Sequence, residues 1–172
     1  MNFIEWLKKA LGCKDEELQL EITSLKERIT LLEGLLRGEQ FKGPTKLGTI
    51  TITELYKLLH PYCEEIYLSD NIYSLTSTDK AKKFSESTKV AINEWKKNEY
   101  DCDEFSFALA GYWNLDLKQF AFGIAWSKAH AFNIMIDNKK DVYIIEPQTN
   151  KFIPIKIAMK NNLYYPLRLI LI

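Results

Sequence analysis

The sequence is short of most residue patterns that announce a function. Lysine plus arginine balance aspartate plus glutamate at 23 each, so there is no basic excess to hold a phosphate backbone, and no nucleic-acid partner is expected. Its three cysteines, Cys13, Cys63 and Cys102, are odd in number and lack a CxxC spacing, which excludes a disulfide framework and a four-cysteine zinc site. Free thiols fit a reducing compartment, and a cytoplasmic location is expected. Histidine occurs only twice, as His60 and His130. The opening "MNFIEWLKKALGC" is too short and too charged to span a membrane and lacks the apolar core and cleavage site of a secretory signal, so the mature chain is expected to start here. No internal repeat is present. What is abundant is core-forming material: 47% of the 172 residues are hydrophobic, with nine Phe, nine Tyr and four Trp, enough for one packed domain with an appendage.

The appendage is legible as residues 1 to 37. Phe3, Leu7 and Leu11 form one helical stripe with Ile4 beside it, which suits a short helix docked on protein or, as the alternative, membrane-surface contact by residues 1 to 11. Leu18, Ile22, Leu25, Ile29, Leu32 and Leu36 then step by 4, 3, 4, 3, 4, a heptad seam. Isoleucine at a and leucine at d favour a parallel two-stranded coil, and Glu21, Lys26, Arg28 and Glu33 supply flanking charges compatible with either orientation. A homodimer through this coiled coil is expected; the competing arrangement packs the helix back on its own domain. Gly34 weakens the seam by about 1 kcal/mol relative to alanine. Residues 38 to 48, rich in glycine, read as a linker, and residues 49 to 172 as the main domain.

Within that domain a short helix capped by Thr53 is predicted to run to Leu59, ended by the His60-Pro61 step. Residues 64 to 75 read as extended with a turn at Asp70-Asn71, and residues 79 to 97 as mostly helical. Beyond Gly111 come five short β-rich runs, "FAFGIAW", "AFNIMID", "DVYIIEP", "KFIPIKI" and "YYPLRLILI", separated by turn residues. Helices followed by an antiparallel sheet define an α+β fold.

The stretch "EYDCDEFSFALAG" sets Cys102 among Asp101, Asp103 and Glu104. Phe105, Ala108, Leu109 and Tyr112 recur at helical spacing, so a helix starts near Cys102, with Asp101 as its N-cap and Glu104 completing a capping box. Acids there raise a thiol's pKa, whereas the helix end and a nearby histidine lower it. His60 and Cys63 read as structural. His130 is expected on a strand, and the turn "NKKD" returns the chain so that Glu146 lies beside it. Cys102, His130 and Glu146 can then converge as a catalytic triad in which His130 takes the thiol proton, Glu146 orients the imidazole and the Cys102 amide is one oxyanion donor.

At these residues the chain resembles the papain-like and transglutaminase-like cysteine proteases. "DCDEFSFAL" is similar to the Asp-Cys-acid-acid-aromatic signature of bacterial transglutaminase-like proteinases. "HAFNIMIDNKKDVYIIEPQT" resembles a His-x-x-Asn strand followed by an acid-Pro-x-Thr strand. The likeness extends to papain-like protease domains attached to mushroom agglutinins and to their bacterial and phage relatives, although no lectin domain precedes this part. It covers roughly residues 98 to 150. It implies a papain-like core with a Cys-bearing helix on an antiparallel sheet, a cysteine hydrolase of peptidase type acting on a peptide or protein substrate through a thioester, and calcium held by Asp101, Asp103 and Glu104. Calcium takes six to eight oxygens, so Asp137, carbonyls or waters would have to complete that site, and a plain helix cap explains the acids as well. Two other functions fit the same residues: a non-catalytic oligomeric interaction protein, and a peptidoglycan amidase or transamidase.

Overall fold

The computed structural model describes residues 19–26, 28–29, 42–115 and 118–172. The chain divides into two compact units, Met1–Phe41 and Lys42–Ile172. In the first, residues 19–26 and 28–29 are helical, with Leu25 and Ile29 exposed. The membrane-contact stripe, Cys13, Glu33, and Leu18, Leu32 and Leu36 of the seam lie outside the described residues.

The second unit is α+β. Its elements run β1 (Gly48–Thr51), α1 (Ile52–Leu59), β2 (Ile66–Tyr67), β3 (Ile72–Leu75), α2 (Thr78–Ser87), a 3₁₀ turn (Val90–Ile92), α3 (Cys102–Asn114), β4 (Phe122–Ser127), β5 (Ala131–Ile136), β6 (Val142–Glu146), β7 (Lys151–Pro154), α4 (Ile155–Ala158) and β8 (Leu167–Leu171). Six strands form one sheet in the order β2-β8-β4-β5-β6-β7, antiparallel except for the parallel pair β2 and β8. Strands β1 and β3 make a separate antiparallel pair.

Local chemistry accounts for several boundaries. Thr51, two residues before the expected cap, starts α1: its Oγ1 accepts the Glu54 N–H at 3.3 Å while Glu54 Oε2 accepts the Thr51 N–H at 3.1 Å. Thr53 lies one residue inside the helix. The predicted helix over 79 to 97 is shorter, because the backbone turns left-handed at Lys89 (φ 61°) and closes only a 3₁₀ turn afterwards. The run "KFIPIKI" splits at Pro154, strand before it and a helical turn after it.

Every residue of β5 is buried, as a strand covered on both faces requires. Phe132, Ile134 and Ile136 join a core with Leu55 and Leu59 of α1 and Ile155 of α4. The alternate face meets α3, where Asn133 Nδ2 donates to Ser106 O at 2.9 Å and to Gly123 O at 3.1 Å. Trp113, fully buried, anchors the far end of α3 by stacking on Phe122 with centroids 4.1 Å apart. The buried stripe of α3 is therefore Phe105, Leu109 and Trp113, with Ala108 and Tyr112 half-buried at its margin. Gly123 is needed where β4 meets β8: a Cβ there would fall 2.0 Å from Leu171 O.

Candidate functional site: a thiol and an imidazole–carboxylate pair

Cys102 is the first residue of α3, and its position follows from the turn before it. Asp101 Oδ2 accepts the Asn98 N–H at 3.0 Å, Glu104 Oε2 reaches back to the Asp101 N–H at 2.9 Å, and Asp101 O accepts Phe105 N–H at 3.1 Å. Ser106 Oγ donates to Cys102 O at 2.7 Å, and Asn133 holds the next turn against the sheet. His130 directly precedes β5. Its backbone N–H donates to Ser127 Oγ at 3.0 Å, and Ser127 Oγ donates in turn to Leu163 O at 2.7 Å. Glu146 ends β6, and both its carboxylate oxygens lie on His130 Nε2, at 3.0 and 3.1 Å. The two side chains are only 10% and 11% exposed, so the pair is shielded from solvent screening.

Cys102 and His130 line one cleft of about 430 Å³, together with Asn93, Trp95, Phe105, Ala129 and Gln148. Asn93, Trp95 and Gln148 come from loops that sequence spacing could not bring together. Tyr164 is a further residue that spacing missed: packed edge-on against Phe132 and 6.1 Å from the His130 ring, its hydroxyl is pushed up to about 12 by burial first, then by the charge of Glu146 and its hydrogen bond to that carboxylate. It closes the pair from behind.

The thiol's electrostatics differ from expectation. Burial pushes Cys102 above its ordinary value, with the charges of Asp101 and Asp103 adding to it, and the Ala131 backbone hydrogen bond opposes them only in part. Its Sγ donates to Asp101 Oδ1 at 3.7 Å.

The acids are arranged as a cap. Asp101 is held below the usual carboxylate range by a hydrogen bond from Asp103 and then by the Asn98 N–H; Asp103 is raised by the same bond and then by burial. Asp101, Cys102 and Asp103 place ligand atoms within 4.8 Å of one another. The donor set does not fit calcium: two carboxyl groups joined by a hydrogen bond and one cysteine sulfur fall well short of six oxygens. Glu104 is engaged in the capping box, and Asp137 is committed elsewhere, its Oδ1 accepting the Lys139 and Asp141 N–H groups in the turn after β5 and its Oδ2 accepting Thr78 Oγ.

No protein-family model and no curated protein matches this chain. Solved structures do. One is described as Polyporus squamosus lectin bound to the human-type influenza-binding epitope Neu5Acα2-6Galβ1-4GlcNAc, with a TM-score of 0.59 at 21% identity over 72% of this chain and 49% of the lectin. Another is described as a PSL1a–E64 complex, with a TM-score of 0.60 at 22% identity over 72% of this chain and 51% of that one. The chain spans about half the length of these neighbours, and at such identity the likeness is one of fold. It corrects the reading drawn from the sequence. A glycan-bound lectin stands where a papain-like or transglutaminase-like cysteine protease was expected, and no peptidase family matches. The hydrolase activity, the peptide or protein substrate and the amidase alternative fall with that assignment, and a homodimer through the coiled coil is not shown by the described residues.

Proposed function

We propose that the domain binds a glycan in the cleft around Cys102 and His130. The observation that carries this is Trp95, 54% exposed on a cleft that the amides of Asn93 and Gln148 and the imidazole of His130 also line, beside Cys102, Phe105 and Ala129. An aromatic face takes the C–H face of a sugar ring, and amides and imidazole bond its hydroxyls. The volume, about 430 Å³, lies in the range of small-ligand sites. The glycan epitope bound by the lectin neighbour supports the same ligand class. Nuclear magnetic resonance titration with Galβ1-4GlcNAc, with and without the terminal Neu5Ac, is expected to shift the Trp95 indole signal, and Trp95→Ala to remove binding. Trp95 signals indifferent to both sugars would overturn the reading.

A second reading rests on the meeting of Cys102, His130 and Glu146. We propose these three residues, expected as catalytic, as a thiol–imidazole–carboxylate centre, with Sγ available to an electrophile held in the cleft. The papain-like ordering of the core belongs to this proposal, supported by a cysteine at a helix start and Glu146 on the strand beside β5. Cys63 and Cys102 are free thiols, which supports the proposed reducing compartment. Mass spectrometry after a thiol-reactive electrophile should place the adduct on Cys102 before Cys63, and His130→Ala should slow it. Equal labelling of both cysteines would remove this reading.

A further inference from the structure

A larger cleft includes Trp126 and Ser127 at the end of β4. Strand β8 opens with Leu167, Arg168 and Leu169, and its ladder to β4 shifts there: Leu169 faces Trp126 and Leu167 faces Ser127, so Arg168 is the additional residue of a β-bulge. A bulge leaves its extra residue out of the ladder and re-aims the side chain. Arg168 is exposed and lines a cleft of about 760 Å³ with His60, Glu64, Glu65, Trp126 and Tyr165. Among the described residues its guanidinium has no ion-pair partner, although two carboxylates share the cleft.

The remaining lining is prepared for a ring. Tyr165 is 52% exposed and Trp126 half-buried, its indole braced by Phe107 at 5.8 Å. His60 stacks on Tyr56 and uses Nδ1 on the Tyr56 hydroxyl at 3.2 Å, which fixes the ring and leaves Nε2 for the cleft. A planar cation, two aromatic faces and polar groups of both signs around them suit a ligand with one carboxylate, one ring and several hydroxyls.

We propose that this cleft binds a carboxylate-bearing saccharide, a site separate from the one at Cys102. Arg168 takes the carboxylate through paired N–H donors, Tyr165 and Trp126 lie against the ring, and His60 Nε2, Glu64 and Glu65 bond the hydroxyls. Glu64 and Glu65 select against more strongly charged anions. Each repels a phosphate dianion twice as strongly as a singly charged carboxylate at the same distance.

The test uses the intact chain and three probes: glucuronate, glucose as its neutral counterpart, and acetate as a carboxylate without a ring. Glucuronate should shift the Trp126 indole and Tyr165 signals with saturation, glucose should bind about tenfold more weakly, and acetate should leave Trp126 unmoved. Arg168→Gln should lose glucuronate binding by a similar factor with an unchanged melt, since the side chain is exposed, and Glu65→Gln should tighten it. Equal affinity for glucose and glucuronate, unchanged glucuronate binding by Arg168→Gln, or no shift of Trp126 with glucuronate at tens of millimolar would each overturn the proposal. Signals of Trp95 and His130 report the other cleft, so failure here is separable from failure there.

Discussion

Replacing Glu146 with glutamine isolates the charge in the imidazole–carboxylate pair. Glutamine keeps the volume and one acceptor oxygen, so a neutral hydrogen bond takes the place of charge-assisted contacts at 3.0 and 3.1 Å. The difference between the two kinds of bond is about 1 to 2 kcal/mol. Part of it is offset because a carboxylate only 11% exposed no longer has to be desolvated, which leaves a net loss of about 1 kcal/mol in urea unfolding at neutral pH. The sharper readout is Tyr164, pushed up to about 12 by burial, then by the Glu146 charge and hydrogen bond. In Glu146→Gln the charge vanishes, the hydrogen bond weakens and burial stays, so the tyrosine midpoint falls yet remains above the ordinary value of about 10. The sign follows from linkage: the folded state keeps the phenol neutral while the unfolded chain ionises, so stability is intact below about pH 10 and drains as pH rises toward the folded value. The variant should lose less over that alkaline window. An ultraviolet tyrosinate titration, referenced to Tyr164→Phe, measures the midpoint. An unchanged midpoint, or a neutral-pH loss above about 4 kcal/mol, would refute this account of the pair.

Three further outcomes are expected. Asp101→Asn keeps a good N-cap but removes the nearest charge from the thiol, so alkylation of Cys102 at neutral pH should quicken several-fold while Cys63 stays slow; an unchanged rate would assign the whole perturbation to burial. Gly123→Ala should cost about 3 kcal/mol or abolish cooperative melting, because its Cβ would lie 2.0 Å from Leu171 O; a wild-type melt would show that β4 and β8 can part there. Millimolar calcium should leave the melting temperature unchanged, since a cation on Asp101 and Asp103 must break the hydrogen bond between them; a rise that Asp103→Asn abolishes would establish a site.

What was legible in the sequence was local. The start of α3 at Cys102 and the Glu104 arm of its box follow from residues three apart, and the approach of Glu146 to His130 follows from a hairpin whose turn is written out as "NKKD". The α+β class follows from helical and alternating periods in succession. Distant pairing was not legible: residues 64 to 75 read as extended about a turn at Asp70-Asn71, yet β2 joins β8 and β3 joins β1, contacts decided by far parts of the chain. The same holds for Trp95 and Gln148 at the cleft, and for Tyr164 behind Glu146. The direction of the thiol shift depends on how deeply Cys102 sits, a property of packing that a motif does not encode. The motif pieces around Cys102 and His130 carried a resemblance strong enough to suggest a family, and spacing alone could not exclude a different one.

Asn133 sits in the middle of β5 with five apolar neighbours, Ala131, Phe132, Ile134, Met135 and Ile136, every one of them buried. Apolarity by itself gives such a strand no reason to choose one alternate set over the other for the helix side, and a slip of one residue would exchange the faces. The amide breaks that tie. In the native register it meets Ser106 O and Gly123 O; in the slipped one it would enter the core beside Leu55 and Leu59, at a penalty of about 1 to 3 kcal/mol for a buried polar group without partners. That penalty falls on the slipped register alone, so the amide selects the alignment. A leucine at this position would therefore be expected to leave the melting temperature almost intact while yielding a protein that folds into two strand alignments, visible as doubled amide signals from β4 to β6.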